Sequence, residues 1–404
     1  MVSPVRHFGA LFAVFGSMAL ASGALVAGAV PASAAPNSLR VGCGHDAYST
    51  IGDAVAAASA GQTILVCPGT YPGDVVLSTT LSLVGVGHPL IDATGDGTGV
   101  QLLASGSSVQ GFTVENALGE GILVGAENGG PAVSNVSVSD NIVTHNDQGN
   151  PTGAPITTST YPQCNANPLT PSVPGDCGEG IHLVNAFDST VAGNTVASNS
   201  GGILLSDDSG PTYGNLVEFN DVTGNTLDCG VTIAGHTPEV FGGGVHDNTI
   251  LANHVTGNGV AGQGAGVLLA SGVPGNVPNI PGVGGAVYNN LIESNFIAGN
   301  GLGGVTLHSH SPGENLNGNT IIGNLIGKNN LAPDQDFGPH FLDPDTTGVI
   351  VTAVSPVTIT IEHNLITNDV NGIWIGNVTP DAVTASGTAS NVFAHVTNPV
   401  VTVS

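Results

Sequence analysis

The chain has 404 residues, with 29 Asp and Glu against only three Lys and Arg, 61 glycines and a formal charge of −26. Phosphate backbones and anionic membranes are bound through clustered Lys and Arg, so nucleic acid and acidic lipid are excluded as partners. Polyanionic sugars are disfavoured unless a divalent cation bridges the like charges, and a neutral polysaccharide fits better.

The first element is a leader. A short basic start (Arg6, His7) runs into the apolar stretch "FGALFAVFGSMALASGALVAGAV", and Ala32-x-Ala34 matches a signal-peptidase site, which predicts a signal peptide over 1–34 and a secreted, extracellular protein. No later stretch approaches the roughly 18 apolar residues of a membrane helix, so no membrane anchor is expected. Residues 35–404 read as a single domain in which Arg40 and Lys328 face 29 carboxylates, a formal charge near −27.

In an exported chain, cysteines are expected as disulfides. Spacing pairs Cys43 with Cys67 and Cys164 with Cys177, the second bracing a long loop insertion at 146–180. Cys229 is left over and reads as a buried thiol.

From Asn194 onward short units recur: "NTVASNSGGILL", "NDVTGNTLDCGVTI", "NTILANHVTGNGVAGQGAGVLL", "NLIESNFIAGNGLGGVTL", "NTIIGNLIGKNN" and "NLITNDVNGIWI". Each alternates β-branched residues between Gly and Asn turns, with nothing helical between. That is the pattern of stacked coils, whose aligned Ile, Val and Leu form a continuous core and whose turn asparagines ladder from coil to coil. The predicted fold is all-β: a right-handed parallel β-helix, from about 40 to 380, with a short N-terminal capping helix near 50–59 and Ser49 or Thr50 as its N-cap.

The stretch "YSTIGDAVAAASAGQTILVCPGTYPGDVVLSTTLSLVGVG", Tyr48 to Gly87, resembles the N-terminal cap and first coil of secreted β-helix proteins of the pectin-lyase-like superfamily. With the coils up to about Asn377, the resemblance covers nearly the whole mature chain. It implies the fold and a carbohydrate-active role; the superfamily spans lyases, hydrolases, esterases, epimerases and non-catalytic proteins.

Aligning the Gly-Ile/Val-x-Leu/Ile strands that begin at Ile181, Ile203, Val231, Val267 and Val305 puts the first and third members in the core. The second, fourth and sixth then face outward. The sixth column reads Ala186, Asp208, His236, Gly272, His310; His308 shares that face, and His182 and Trp374 occupy the second column. Loops leave the same corner after these strands and would wall a groove for an extended chain.

The aligned face carries neither Arg40 nor Lys328, which argues against a lyase of the Lys/Arg-base type. Asp207-Asp208 and Gly235-His236 resemble the Asp-Asp and Gly-His motifs of polygalacturonase-like inverting hydrolases. The family's Asn-Thr-Asp has its nearest match in Asn185 and Asp188, and its Arg-x-Lys clamp is absent, which disfavours a galacturonate substrate. The principal reading is a glycoside hydrolase acting on a polysaccharide. Asp207, Asp208, His236 and His310 are its catalytic group, Asp208 being the proton donor with a raised pKa, and His182, His308 and Trp374 bind substrate. No cofactor is required. Two alternatives stand beside it: a divalent metal held by Asp208, His236, His308 and His310, and a glycan-binding solenoid without turnover.

Overall fold

The structure is a computed structural model that describes residues 38–44, 47–127, 129–146, 179–262, 264–271, 283–332 and 345–404. The predicted leader at 1–34, most of the long loop with Cys164 and Cys177, and Gly272 lie outside the described residues. Among the described residues no helix is long and apolar enough to cross a membrane.

Described residues build three long parallel sheets of 12, 11 and 11 strands and a short one of five, each coil adding one in-register strand to each long sheet. This is the expected right-handed parallel β-helix. The inward members of successive coils, such as Ile203, Val231, Val267 and Val305, are fully buried. Each such side chain contributes about 1.5–3 kcal/mol by leaving water.

The turn asparagines form ladders inside the wall. Asn141, Asn194, Asn220, Asn253, Asn295, Asn324 and Asn364 each pass an amide N–H to the side-chain oxygen of the next at 2.9–3.0 Å, the ladder ending on Asn391. Each also bonds a backbone carbonyl, so polar turns are buried without orphaned groups.

The capping helix is Ile51–Ala57, with Thr50 as N-cap accepting from the Asp53 amide, and it turns Ile51 and Ala54 onto the open end of the core. Cys43 and Cys67 form the expected disulfide, and Cys229 is a buried free thiol. The coils run further than the sequence reading placed them: strands continue through Val383–Ser386 and Val392–Ala394 to Asn398–Val403.

One 11-stranded sheet positions the site and is called the front sheet. It contains Ile122–Val124, Glu179–Val184, Gly201–Ser206, Val231–Gly235, Val267–Ser271, Val305–Ser309, Thr347–Ala353 and Asn371–Asn377. Its register is the one the aligned motifs predict: Ile181 pairs Ile203, Ile203 pairs Val231, Val231 pairs Val267 and Val267 pairs Val305. The glycine before each first member is required. A Cβ on Gly180 would collide with Val196 and approach the Asn199 amide in the interior. Gly180 and Ile181 therefore both face inward, and the residue ahead of them, Glu179, emerges on the same outer side as His182.

Candidate functional site

Asp207 and Asp208 end the strand Gly201–Ser206 and part company there. Asp207 is 1% exposed. Its carboxylate accepts from the backbone amides of His236 (2.6 Å), Thr237 (3.1 Å) and Gly244 (2.7 Å), so it anchors the loop that follows the next strand. Burial pushes its pKa up to about 6, against the charge of His236 and the bonds from the His236 and Gly244 amides.

Asp208 points outward, its side chain 35% exposed, and its Oδ1 lies 2.8 Å from His236 Nδ1. Its Oδ2 accepts from the Ser206 hydroxyl at 2.6 Å. Burial acts to raise its pKa, but His236 and Ser206 outweigh it and hold the carboxyl well below the usual range. The expectation of a raised pKa at Asp208 is therefore corrected: of the two acids the raised one is Asp207, and it is sealed under backbone amides.

Behind this dyad the hydrogen bonds continue inward. Ser206 Oγ lies 2.9 Å from His182 Nε2, and His182 Nδ1 lies 3.3 Å from Glu120 Oε1 and 3.5 Å from Glu127 Oε1. An ionised carboxylate only accepts, so Ser206 donates to Asp208 and takes its own hydrogen bond from His182 Nε2–H. Nδ1 is thereby turned toward two carboxylates.

His182 was expected on a solvent face and is 1% exposed, covered by the turn bearing Glu127. Burial opposes its protonation, yet hydrogen bonds and charge from Glu120 and Glu127 hold its pKa well above the ordinary value. Burial and the charge of Glu120 push Glu127 up to about 8.

His308 is also corrected from exposed to buried, its ring meeting His310 edge-on at 5.5 Å. Burial, with His310 adding to it, pushes its pKa down to about 3. His310 is exposed and donates through Nδ1 to the Ser271 carbonyl at 2.9 Å. Trp374 lies on the front sheet between Ile350 and Val401, partly buried, five coils beyond Asp208 or about 24 Å away. Ala186 does not join the outward column: Asn185 turns left-handed (φ 51) and carries Ala186 into the core, where it pairs Val133 in the five-stranded sheet.

The loops after Gly201–Ser206 and Val231–Gly235 do share a corner, each leading to a strand of the five-stranded sheet, Thr212–Tyr213 and Val245–His246.

The four-residue metal set Asp208, His236, His308 and His310 does not converge. Among the described residues the one group of three or more potential ligands with atoms within 4.8 Å of one another is Glu120, Glu179 and His182. The sequence reading missed both glutamates. Their signal was present, Gly-Glu-Gly-Ile at 119–122 and again at 178–181. Strand alternation counted back from Ile181 assigns Glu179 to the wrong side, because the inward glycine shifts the phase. Among the described residues soft donors for copper(I) are not assembled: Cys43 and Cys67 are bonded, and burial and Asp228 push the Cys229 thiol well above its ordinary pKa.

In sequence, the family model NosD, described as "Periplasmic copper-binding protein (NosD)", matches residues 103–329, which is more than half of the chain and spans every residue from Glu120 to His310. No curated protein matches the chain. Among solved structures, Dettilon tailspike protein (gp208) is similar at 14% identity and a TM-score of 0.51, over 85% of this chain and 63% of its own. Pectate lyase Pel9A is similar at 15% identity and 0.48, over 88% and 78%. The catalytic unit of thermostable GH87 alpha-1,3-glucanase from Streptomyces thermodiastaticus strain HF3-3 is similar at 16% and 0.49, over 87% and 64%. The chain thus spans less than two thirds of the tailspike's length, and at these identities the likeness is one of fold.

Proposed function

The chain belongs to the NosD family of right-handed β-helix proteins, and from that premise we propose that it is an exported carbohydrate-active protein that holds an extended polysaccharide along the front sheet and hydrolyses it. The observation that carries this reading is the 2.8 Å contact between Asp208 and His236, on an accessible outer face.

Asp208 fixes the imidazole through Nδ1 and stabilises it when charged, so His236 Nε2 accepts a proton from water as its oxygen attacks the anomeric carbon. The glycosidic bond breaks toward the leaving oxygen. A proton from solvent reaches that oxygen through His310 Nε2, about two coil spacings or ~10 Å along the same column, while Nδ1 stays bonded to the Ser271 carbonyl and His236 releases its own proton to water. Asp207 drops out of the paired-carboxylate scheme because backbone amides occupy both its oxygens. Trp374 serves as a distal stacking platform. The acidic surface selects a neutral sugar chain.

The test is a screen of neutral and acidic polysaccharides, with and without EDTA, reading reducing ends and unsaturated products. New reducing ends from a neutral polysaccharide are expected, and His236→Gln should lower kcat by roughly 10²–10³ with little change in KM. Unsaturated products would instead establish a lyase. The family's description names metal binding and no reaction, and binding of a glycan without turnover in the same screen would establish the second reading, a glycan-binding solenoid.

A further inference from the structure

Glu120 and Glu179 occupy equivalent places on consecutive coils. The pairing of Ile122 with Ile181 carries back two residues to set one glutamate beside the other, about 4.8 Å apart along the stack. Both are almost fully buried, and Glu127 closes over them with a side chain 10% exposed. Three carboxylates thus meet around one imidazole. The Lys and Arg of the described residues lie elsewhere, Arg40 in the first coil and Lys328 after the strand Leu325–Ile326.

Stacked like charges away from water repel strongly, and such groups persist where a proton or a metal ion sits between them.

Two further observations favour the ion. The chain of donors from His182 to Ser206 to Asp208 commits Nε2 as the donor, so His182 presents Nδ1 to Glu120 and Glu127. Glu127 Oε1, buried and aimed at that nitrogen, reaches it only at 3.5 Å. Ligands about 2.1 Å from a divalent ion stand roughly 3–4 Å apart, and His182 Nδ1 already lies 3.3 Å from Glu120 Oε1 and 3.5 Å from Glu127 Oε1. Three carboxylates and one imidazole suit a cation of hard to borderline character, manganese or zinc, rather than copper(I).

We propose that Glu120, Glu127, Glu179 and His182 form a buried binding site for one divalent cation such as Mn²⁺ or Zn²⁺. The ligands come from two consecutive coils and the turn above them, so the ion cross-links the stack. His182 then acts as the ligand whose far nitrogen steers Ser206 and, through it, Asp208. This site is independent of any reaction on a glycan.

The experiment uses the full chain, stripped with EDTA and dialysed. Calorimetric titration with Mn²⁺ and, separately, Zn²⁺, with elemental analysis after gel filtration, should find one equivalent per chain for at least one of them, and that metal should raise Tm by a few degrees. Glu127→Gln and Glu179→Gln should each lose that equivalent, whereas Asp221→Asn, an exposed carboxylate beside His254, should keep it. Without metal, Glu179→Gln should melt at or above the parent temperature, since it removes one of two stacked charges; a merely hydrogen-bonded glutamate would lower it. If Glu179→Gln does not fold, Glu127→Gln on the covering turn decides the matter. Retention of neither metal, or an equivalent that survives both Glu→Gln variants, overturns the assignment.

Discussion

Asp207 and Asp208 are neighbours in the chain and do opposite things: the first accepts three backbone amides of the next coil's loop, the second accepts the Ser206 hydroxyl and holds His236 at 2.8 Å. An extended strand sends successive side chains to opposite faces, so one acid became a structural anchor and the other a surface group.

Their variants should separate cleanly. Asp207→Ala leaves buried amides at His236, Thr237 and Gly244 without an acceptor and should cost about 2–3 kcal/mol, with new protease cleavage in Thr237–Gly244. Asp208→Asn should leave thermal unfolding nearly unchanged while lowering glycan turnover by roughly 10²-fold or more. If both variants lose stability equally, Asp208 is an anchor as well.

His308 should make stability depend on acid pH. Burial depresses its folded pKa to about 3, against ~6.5 unfolded, so below ~6.5 the unfolded chain takes a proton that the folded chain refuses. The stabilisation is fully present above ~6.5 and is lost as pH falls toward 3, at up to about 1.4 kcal/mol per pH unit. Denaturant titrations of the parent and His308→Gln between pH 3 and 7 should differ by that slope; parallel curves would show that His308 does not titrate as its burial requires.

The asparagine ladder should weaken most at its centre. Asn253→Ala takes the acceptor from the Asn220 backbone N–H and from one of its two Nδ2 hydrogens, and the side-chain donor from the Val217 carbonyl, inside the wall, and should cost about 3 kcal/mol. Asn391→Ala, at the ladder's end and more exposed, should cost clearly less. Chemical denaturation of the two variants gives the comparison.

Thiol chemistry should find Cys229 silent in the native protein, because the thiol is buried and its pKa is raised, and reactive once the chain unfolds. Replacing the bonded Cys43 and Cys67 should lower stability by about 3 kcal/mol, as expected for a closed loop of this size. Rapid labelling of one thiol under native conditions would place Cys229 outside the packed wall.

The coil repeat, the register of the front-sheet strands, the Thr50-capped helix and the Cys43–Cys67 bond were all legible in the amino-acid sequence. Each is encoded locally, by β-branched alternation, by Asn and Gly at turns, or by spacing. The pairing of Asp208 with His236 was legible for the same reason, since register alone sets residues 28 apart on adjacent strands. Burial of the outer face was not. His182 and His308 were read as solvent-facing because alternation tells inside from outside but says nothing of what covers the outside. Glu120 and Glu179 escaped because the inward Gly before the first strand residue breaks the two-residue period, and Glu127 because it sits on a turn whose packing over the coil only the fold shows. The exchange of electrostatic roles between Asp207 and Asp208 likewise needed tertiary structure, since a carboxylate's pKa depends on the donors and the burial around it, and those come from other coils.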